Sequence, residues 1–73
     1  MDMRESKYLD TVLEILKESE VPMTTNAVRK EMGERGSVVV SWYLAYSVLM
    51  LLASRGLVEK TELGNMIIWN VEE

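Results

Sequence analysis

The sequence predicts an α+β fold in which three helices are followed by a two-stranded β-hairpin. Residues 4–19 combine an apolar arc with a charged arc, as an amphipathic helix does. Residues 36–54 carry no charged side chain and are interpreted mostly as one central helix. Gly56 is the expected end of that helix, and two strand-like runs follow it. All 73 residues are therefore predicted to form a single small domain.

The first helix is predicted over about residues 4–19. Its apolar arc consists of Tyr8, Leu9, Val12, Leu13, Ile15 and Leu16. Val21-Pro22-Met23 ends the helix and is expected to be a short extended link. The reason is that proline restricts the residue before it to extended conformations and fits only an edge strand.

A second, shorter helix is predicted over about residues 25–32. Thr24 or Thr25 is its expected N-cap, because a hydroxyl can accept a hydrogen bond from a free backbone N–H of the first turn. Gly33 is expected to end it.

The central helix is predicted over about residues 39–55. Its core face, at helical spacing, is Val38, Trp42, Ala45, Leu49 and Leu52. Ser37 is one candidate cap, but the β-branched run Val38-Val39-Val40 favours a later start with Ser41 as the cap.

A hairpin is predicted after Gly56, with strands at about residues 57–61 and 66–71. The intervening turn contains Gly64 and Asn65, which tolerate positive φ.

The central helix has a second apolar stripe, made of Leu44, Val48 and Leu51. A surface helix normally carries charge opposite its core face, so this helix is expected to be covered on more than one side. The cover is predicted to be a second copy, with the stripe as the seam of a homodimer. The other interpretations are that elements of the same chain wrap around the helix, or that it spans a membrane. A span is disfavoured because the neighbouring elements have one-sided apolar faces that need this helix as their partner.

Composition limits the function. The sequence has no cysteine and no histidine, which removes the commonest catalytic and metal-binding side chains and suits a cytoplasmic location. We expect no enzymatic activity, metal, cofactor or small-molecule ligand, and no membrane partner. The net charge of −4 argues against a generic polyanion binder, although the local field matters more than the total.

In the order of its elements the chain resembles a winged helix-turn-helix domain of the kind found in small bacterial and archaeal transcription regulators. The resemblance covers about residues 5–71 and is one of pattern and spacing. It is carried by Val21-Pro22-Met23-Thr24-Thr25, by Ala27-Val28-Arg29-Lys30-Glu31-Met32-Gly33, and by Ala45, Leu49 and Leu52 before Arg55-Gly56-Leu57-Val58-Glu59-Lys60.

The resemblance implies a transcription regulator that binds duplex DNA, with the third helix in the major groove and the hairpin as a wing. It places Ser37, Ser41, Tyr43, Tyr46 and Ser47 toward the groove. Residues 60–65 would form the wing, with Lys60 and Asn65 as its DNA contacts. Arg29, Lys30 and Arg35 would meet phosphates. The homodimer predicted from the apolar stripe would double the small set of cations that meet phosphates.

The third helix departs from the family pattern because residues 39–54 contain no Arg, Lys, Gln or Asn with which to read guanine or adenine. This departure favours an alternative function, a winged-helix protein–protein interaction module that does not bind DNA. Two interpretations are open for Trp42, Tyr43 and Tyr46: packing in the core or an interface, and contact with DNA. Trp42 is expected in the core.

Overall fold

The computed structural model describes residues 3–36 and 39–71. The predicted α+β class and the order of the elements are confirmed. The elements are α1 (Met3–Glu18), β1 (Met23–Thr24), α2 (Thr25–Gly36), α3 (Trp42–Ser54), β2 (Val58–Leu63) and β3 (Met66–Val71). Ser37 and Val38, for which a cap and a core position were predicted, lie outside the described residues.

The predicted hairpin is confirmed, and a third strand pairs with it to form a sheet. The sheet is antiparallel with the order β1-β3-β2, so the extended link after Pro22 becomes a two-residue edge strand. Strand β2 pairs with β3 from Val58 opposite Val71 to Leu63 opposite Met66. This pairing continues two residues beyond the predicted end of the first strand and leaves a two-residue turn, in which Gly64 has φ +62°.

Helix α3 lies at the centre of the domain, where it packs against α1, α2 and β2. The hydrophobic core around it consists of Leu9, Val12, Ile15, Leu16, Val28, Met32, Val40, Ala45, Val48, Leu49, Leu52, Val58 and Trp69. Val48 is only 4% exposed in the single chain, and Leu44 and Leu51 are half-buried against the same core. The second apolar stripe is therefore largely covered by the chain itself, and Val48 has almost no area left for a partner.

The end of α2 differs from the prediction, because the helix continues to Gly36 and does not stop at Gly33. A glycine inside a helix costs about 1 kcal/mol relative to alanine, and other contacts can offset that cost. Here the extra turn carries Arg35, which contacts Glu18 of α1 at 2.8 Å and Glu31 one turn earlier at 3.6 Å.

Helix α3 begins at Trp42, three residues later than residue 39. The alternative cap is confirmed: the Ser41 hydroxyl accepts a hydrogen bond from the backbone N–H of Leu44 at 3.1 Å. The predicted helix end is confirmed as well, since Gly56 has φ +75° two residues after Ser54. Of the two candidate caps of α2, Thr24 takes the role, because its hydroxyl accepts from the N–H of Ala27 at 3.1 Å.

The prediction that Trp42 lies in the core is wrong, since it is 41% exposed. Trp42 is the first residue of α3 and its ring stacks on Tyr46, whereas Trp69 from β3 lies in the core at 0% exposure. No helix within residues 3–36 and 39–71 is long and apolar enough to cross a membrane.

Candidate nucleic-acid interface

The start of α3 is unusually apolar for an exposed helix end. Val39 is 99% exposed, Tyr43 78% and Trp42 41%. Ser41 caps the helix here, and a hydroxyl that accepts a backbone hydrogen bond can still donate its own proton to a ligand. The first turn of α3 therefore offers apolar surface and one hydroxyl donor, together with the Tyr43 phenol.

A row of aromatic rings connects this exposed turn to the core. Trp42 stacks on Tyr46 with 4.9 Å between ring centroids and 10° between planes. Tyr46 meets Trp69 edge-on at 6.0 Å, and the buried Trp69 indole N–H donates to the Thr25 hydroxyl at 2.8 Å. Stacked and edge-to-face pairs are favoured arrangements for aromatic rings. The row therefore holds the start of α3 against β3 and the first residue of α2.

Lys60 extends from β2 to the middle of the aromatic row. Its ammonium donates to the Tyr46 hydroxyl at 3.3 Å and lies 5.6 Å from the centroid of that ring. It is also 3.5 Å from a carboxylate oxygen of Glu62. The hydrogen bond to Tyr46, followed by the nearby Glu62, raises the pKa of Lys60 above its ordinary value. Lys60 is thus charged at neutral pH but already has an anionic neighbour.

Arg29 and Lys30 lie on the first half of α2, beside the start of α3. The Arg29 guanidinium donates to the Asn26 side-chain oxygen at 2.9 Å and to the Val40 carbonyl at 3.5 Å. Lys30 is exposed, and it is four residues from Asn26, which places the two on the same side of the helix. Neither cation has a carboxylate within 4.0 Å among the described residues.

Arg35 lies at the opposite end of α2 and is engaged differently. Its hydrogen bond to Glu18, with Glu31 close by, raises the pKa of the guanidinium. An arginine held between two carboxylates is a poor phosphate ligand, because the acids repel the phosphate. The structure thus separates Arg35 from Arg29 and Lys30, with which it was grouped at the sequence level.

The start of α2, the start of α3 and the tip of the hairpin meet at a shallow recess. Asn26, Trp42 and Asn65 are among the residues that line it. Together with the Arg29–Val40 contact and the Trp42–Tyr43 ring contact at 5.7 Å, this recess connects six residues into one surface. We call this surface the open face, and it consists of Asn26, Arg29, Val39, Trp42, Tyr43 and Asn65.

Carboxylates are absent from the two segments that supply most of the open face. The sequence has twelve acidic residues, yet residues 21–30 and 36–58 contain none, while they contain Arg29, Lys30 and Arg55. The acids are concentrated in residues 2–20, in the second half of α2, in the hairpin and at the C-terminus. Although the protein has a net charge of −4, the two segments that supply most of the open face contain basic residues and no acidic ones.

The structure places the predicted DNA contacts in three groups. Arg29, Tyr43 and Asn65 belong to the open face, and two more lie beside members of it: Ser41, the cap before Trp42, and Lys30, which follows Arg29 on α2. Tyr46 and Lys60 are half-buried behind it and bonded to each other, and Ser47 is exposed further along α3. Arg35 lies elsewhere, and Ser37 is outside the described residues.

The sequence interpretation missed Asn26 and Val39 as members of this surface. Asn26 follows the two threonines at the helix start, where a polar residue is ordinary. Val39 belongs to an apolar run that periodicity assigns to a helix. The available signal was the late cap at Ser41, which leaves Val39 outside the helix.

No protein-family model matches this sequence, and no curated protein matches it either. Among solved structures, a chain of HOP2 shares the fold with a TM-score of 0.76. The similarity covers 88% of this chain and 97% of that chain, at 17% sequence identity. That structure was reported for the insight it gives into the DNA recognition and protein interaction domains of HOP2 and its homologous DNA pairing. At this identity the likeness concerns the fold, and it confirms the winged-helix architecture.

Proposed function

We propose that this protein binds duplex DNA through the open face and acts as a sequence-specific transcription regulator. Helix α3 enters the major groove, and the β2–β3 hairpin serves as the wing. The observation that carries the proposal is the lack of carboxylates in residues 21–30 and 36–58, next to Arg29 and Lys30. The HOP2 neighbour, which has the same fold and a DNA recognition domain, adds support.

The cations of α2 supply the affinity in this proposal. Phosphate contacts dominate the binding of proteins to DNA, and each needs a cation or a hydrogen-bond donor. Arg29 belongs to the open face and Lys30 follows it on α2, and neither has a carboxylate within 4.0 Å in the described part of the chain. Asn26 and Asn65 add side-chain amides, and the first N–H groups of α3 add backbone donors.

Two cations give a single copy only weak affinity, so we propose that the protein acts as a homodimer. Two copies double the number of cations that meet phosphates and fix the spacing of two half-sites. Val48 is excluded from a seam by its burial, whereas Leu44 and Leu51 retain partial exposure. Sedimentation equilibrium at the concentration used for DNA binding should give twice the mass of the chain. A measured mass equal to that of one chain would overturn the dimer. It would not decide whether the protein binds DNA, which is tested separately.

The salt dependence of DNA binding tests the proposal. Binding to a mixed duplex pool should weaken linearly on a plot of log affinity against log salt concentration, because each neutralised phosphate releases counterions. Replacing both Arg29 and Lys30 by alanine should reduce the slope by roughly 0.9 for each phosphate that the protein no longer neutralises.

The matched control is the double variant Lys7→Ala with Lys17→Ala, which removes two positive charges from the exposed side of α1. Its slope should equal that of the parent. Absence of any binding at low salt would contradict the proposal, as would an equal change of slope in both double variants.

A second candidate is an interaction module that docks another protein and leaves DNA untouched. The exposed apolar side chains of Val39, Trp42 and Tyr43 favour it, since contiguous apolar surface often marks a protein-binding site. The same titration separates the two candidates, because only the DNA binder has a salt-dependent affinity for the duplex. In neither candidate does the chain catalyse a reaction.

A further inference from the structure

The groove-facing part of α3 lacks the groups with which proteins usually read guanine. Arginine or lysine contacts guanine O6 and N7, and asparagine or glutamine contacts adenine N6 and N7. None of these four residue types occurs between residues 39 and 54. If α3 lies in the major groove, its side chains read bases by apolar contact and through hydroxyl groups.

The major groove displays one apolar feature, the C5-methyl group of thymine. Two side chains at the start of α3 have largely uncovered apolar surface. Val39, which lies just before the Ser41 cap, is 99% exposed, and Tyr43 in the first turn of the helix is 78% exposed. We propose that these two side chains read C5-methyl groups. The protein then selects duplexes rich in thymine over duplexes whose pyrimidine bases have a hydrogen atom at C5. This inference rests on the proposed function.

The Tyr43 ring has an aromatic neighbour that restricts its positions before any DNA arrives. It meets the Trp42 ring edge-on, with 5.7 Å between centroids and 88° between planes. Trp42 is itself stacked on Tyr46, which contacts Lys60 and Trp69. A side chain fixed by its neighbours loses less conformational freedom on binding, so its apolar contact contributes more of its energy to affinity. Trp42 is thus a positioning residue, and Tyr43 makes the contact.

Charge favours DNA as the occupant of this apolar turn over a second copy of the chain. The Arg29 guanidinium is 3.5 Å from the carbonyl of Val40, so a cation lies directly beside Val39. The backbone N–H groups of the first turn of α3 add positive potential, since a helix N-terminus attracts anions. A second copy would bring the same Arg29 into proximity and the two cations would repel each other.

The test compares duplexes that differ only in C5-methyl groups. The probes are a 20-base-pair alternating A·T duplex, its counterpart with deoxyuridine for thymidine, and an alternating G·C duplex with and without 5-methylcytosine. Deoxyuridine keeps every hydrogen-bonding group of thymidine and lacks the methyl. We expect the uridine duplex to bind about fourfold more weakly for each methyl contacted, which is the effect of burying one such group. Methylation of cytosine should likewise strengthen binding to the G·C duplex. The slope of log affinity against log salt concentration should not change.

Variants at Val39 and Tyr43 test whether these two residues cause the preference for thymine over uracil. Val39→Ala combined with Tyr43→Ala should abolish the preference for thymine over uracil, while the slope set by Arg29 and Lys30 remains. Both side chains are highly exposed, so the variant should fold. The matched control is Leu57→Ala, which removes a 42% exposed apolar side chain from the link between α3 and β2 and should retain the preference.

The outcomes distinguish this inference from the function on which it rests. Equal affinity for the thymine and uracil duplexes, with salt-dependent binding intact, would overturn methyl reading and leave DNA binding standing. A preference that survives in the Val39, Tyr43 double variant would overturn the assignment to these residues. No duplex binding at low salt would overturn both proposals together.

Discussion

Thr25 shows how one residue can serve the core and the site together. It is 3% exposed, and its hydroxyl accepts the hydrogen bond from the indole N–H of Trp69, which is fully buried. Trp69 in turn supports Tyr46 and, through it, the exposed rings of α3. The sequence offered Thr25 only as an alternative cap, because a partner 44 residues away leaves no local pattern.

We expect Thr25→Val to lower the free energy of unfolding by about 1–3 kcal/mol, because the buried indole N–H would have no partner. Thr25→Ser is the control: it keeps the acceptor and loses one methyl, at a cost of about 0.8 kcal/mol. Urea denaturation measures both. A valine variant as stable as the parent would show that the hydrogen bond contributes nothing.

At the scale of elements, the end of α3 depends on a single glycine. Gly56 has φ +75°, and a Cβ added there would meet no atom within 4 Å. Any penalty for a larger residue at this position therefore comes from the backbone conformation, with no contribution from crowding. That conformation directs the chain from α3 into β2 and so determines where the hairpin lies relative to the helix.

Gly56→Ala should destabilise the domain by about 1–2 kcal/mol, the usual cost of a left-handed conformation for a residue with a Cβ. Gly56→Asn should cost less, since asparagine tolerates this conformation better. Thermal unfolding of the two variants beside the parent checks the order. If alanine proved no worse than asparagine, backbone strain would not be the cause.

Elements whose signals are local could be predicted from the sequence, and those fixed by distant contacts could not. The amphipathic arc of α1, the Ser41 cap and the Gly56 stop are encoded within a few residues of where they act. The extended end of α2 carries Arg35, which contacts Glu18 across 17 residues of sequence, and sequence periodicity gives no sign of such a contact.

The same distinction applies to the candidate site. Arg29, Tyr43 and Asn65 were predicted because their elements were placed correctly. Periodicity assigned Trp42 to the core face of α3, but it could not show that the covering elements stop short of the first turn. The pairing of Lys60 with Tyr46 and Glu62 likewise requires knowledge of how β2 packs on α3.

Across the whole molecule the acids are distributed unevenly. Among the described residues they lie on α1, at Glu20, on the second half of α2 and on the hairpin, whereas the start of α2 and all of α3 carry none. Since long-range fields guide association, these acids would repel a polyanion from the surfaces that carry them and favour its approach to the open face. This arrangement explains how a protein with a net charge of −4 could bind DNA in one orientation.

The central claim is that the open face is where DNA binds, and mapping of backbone amide shifts by nuclear magnetic resonance tests it most directly. A short A·T-rich duplex is added at low salt, and the amide signals are followed through the titration. We predict that the largest changes fall in residues 26–30, 39–47 and 60–66, while residues 9–18 of α1 stay unchanged. Changes centred on α1, or none at all under these conditions, would contradict the account.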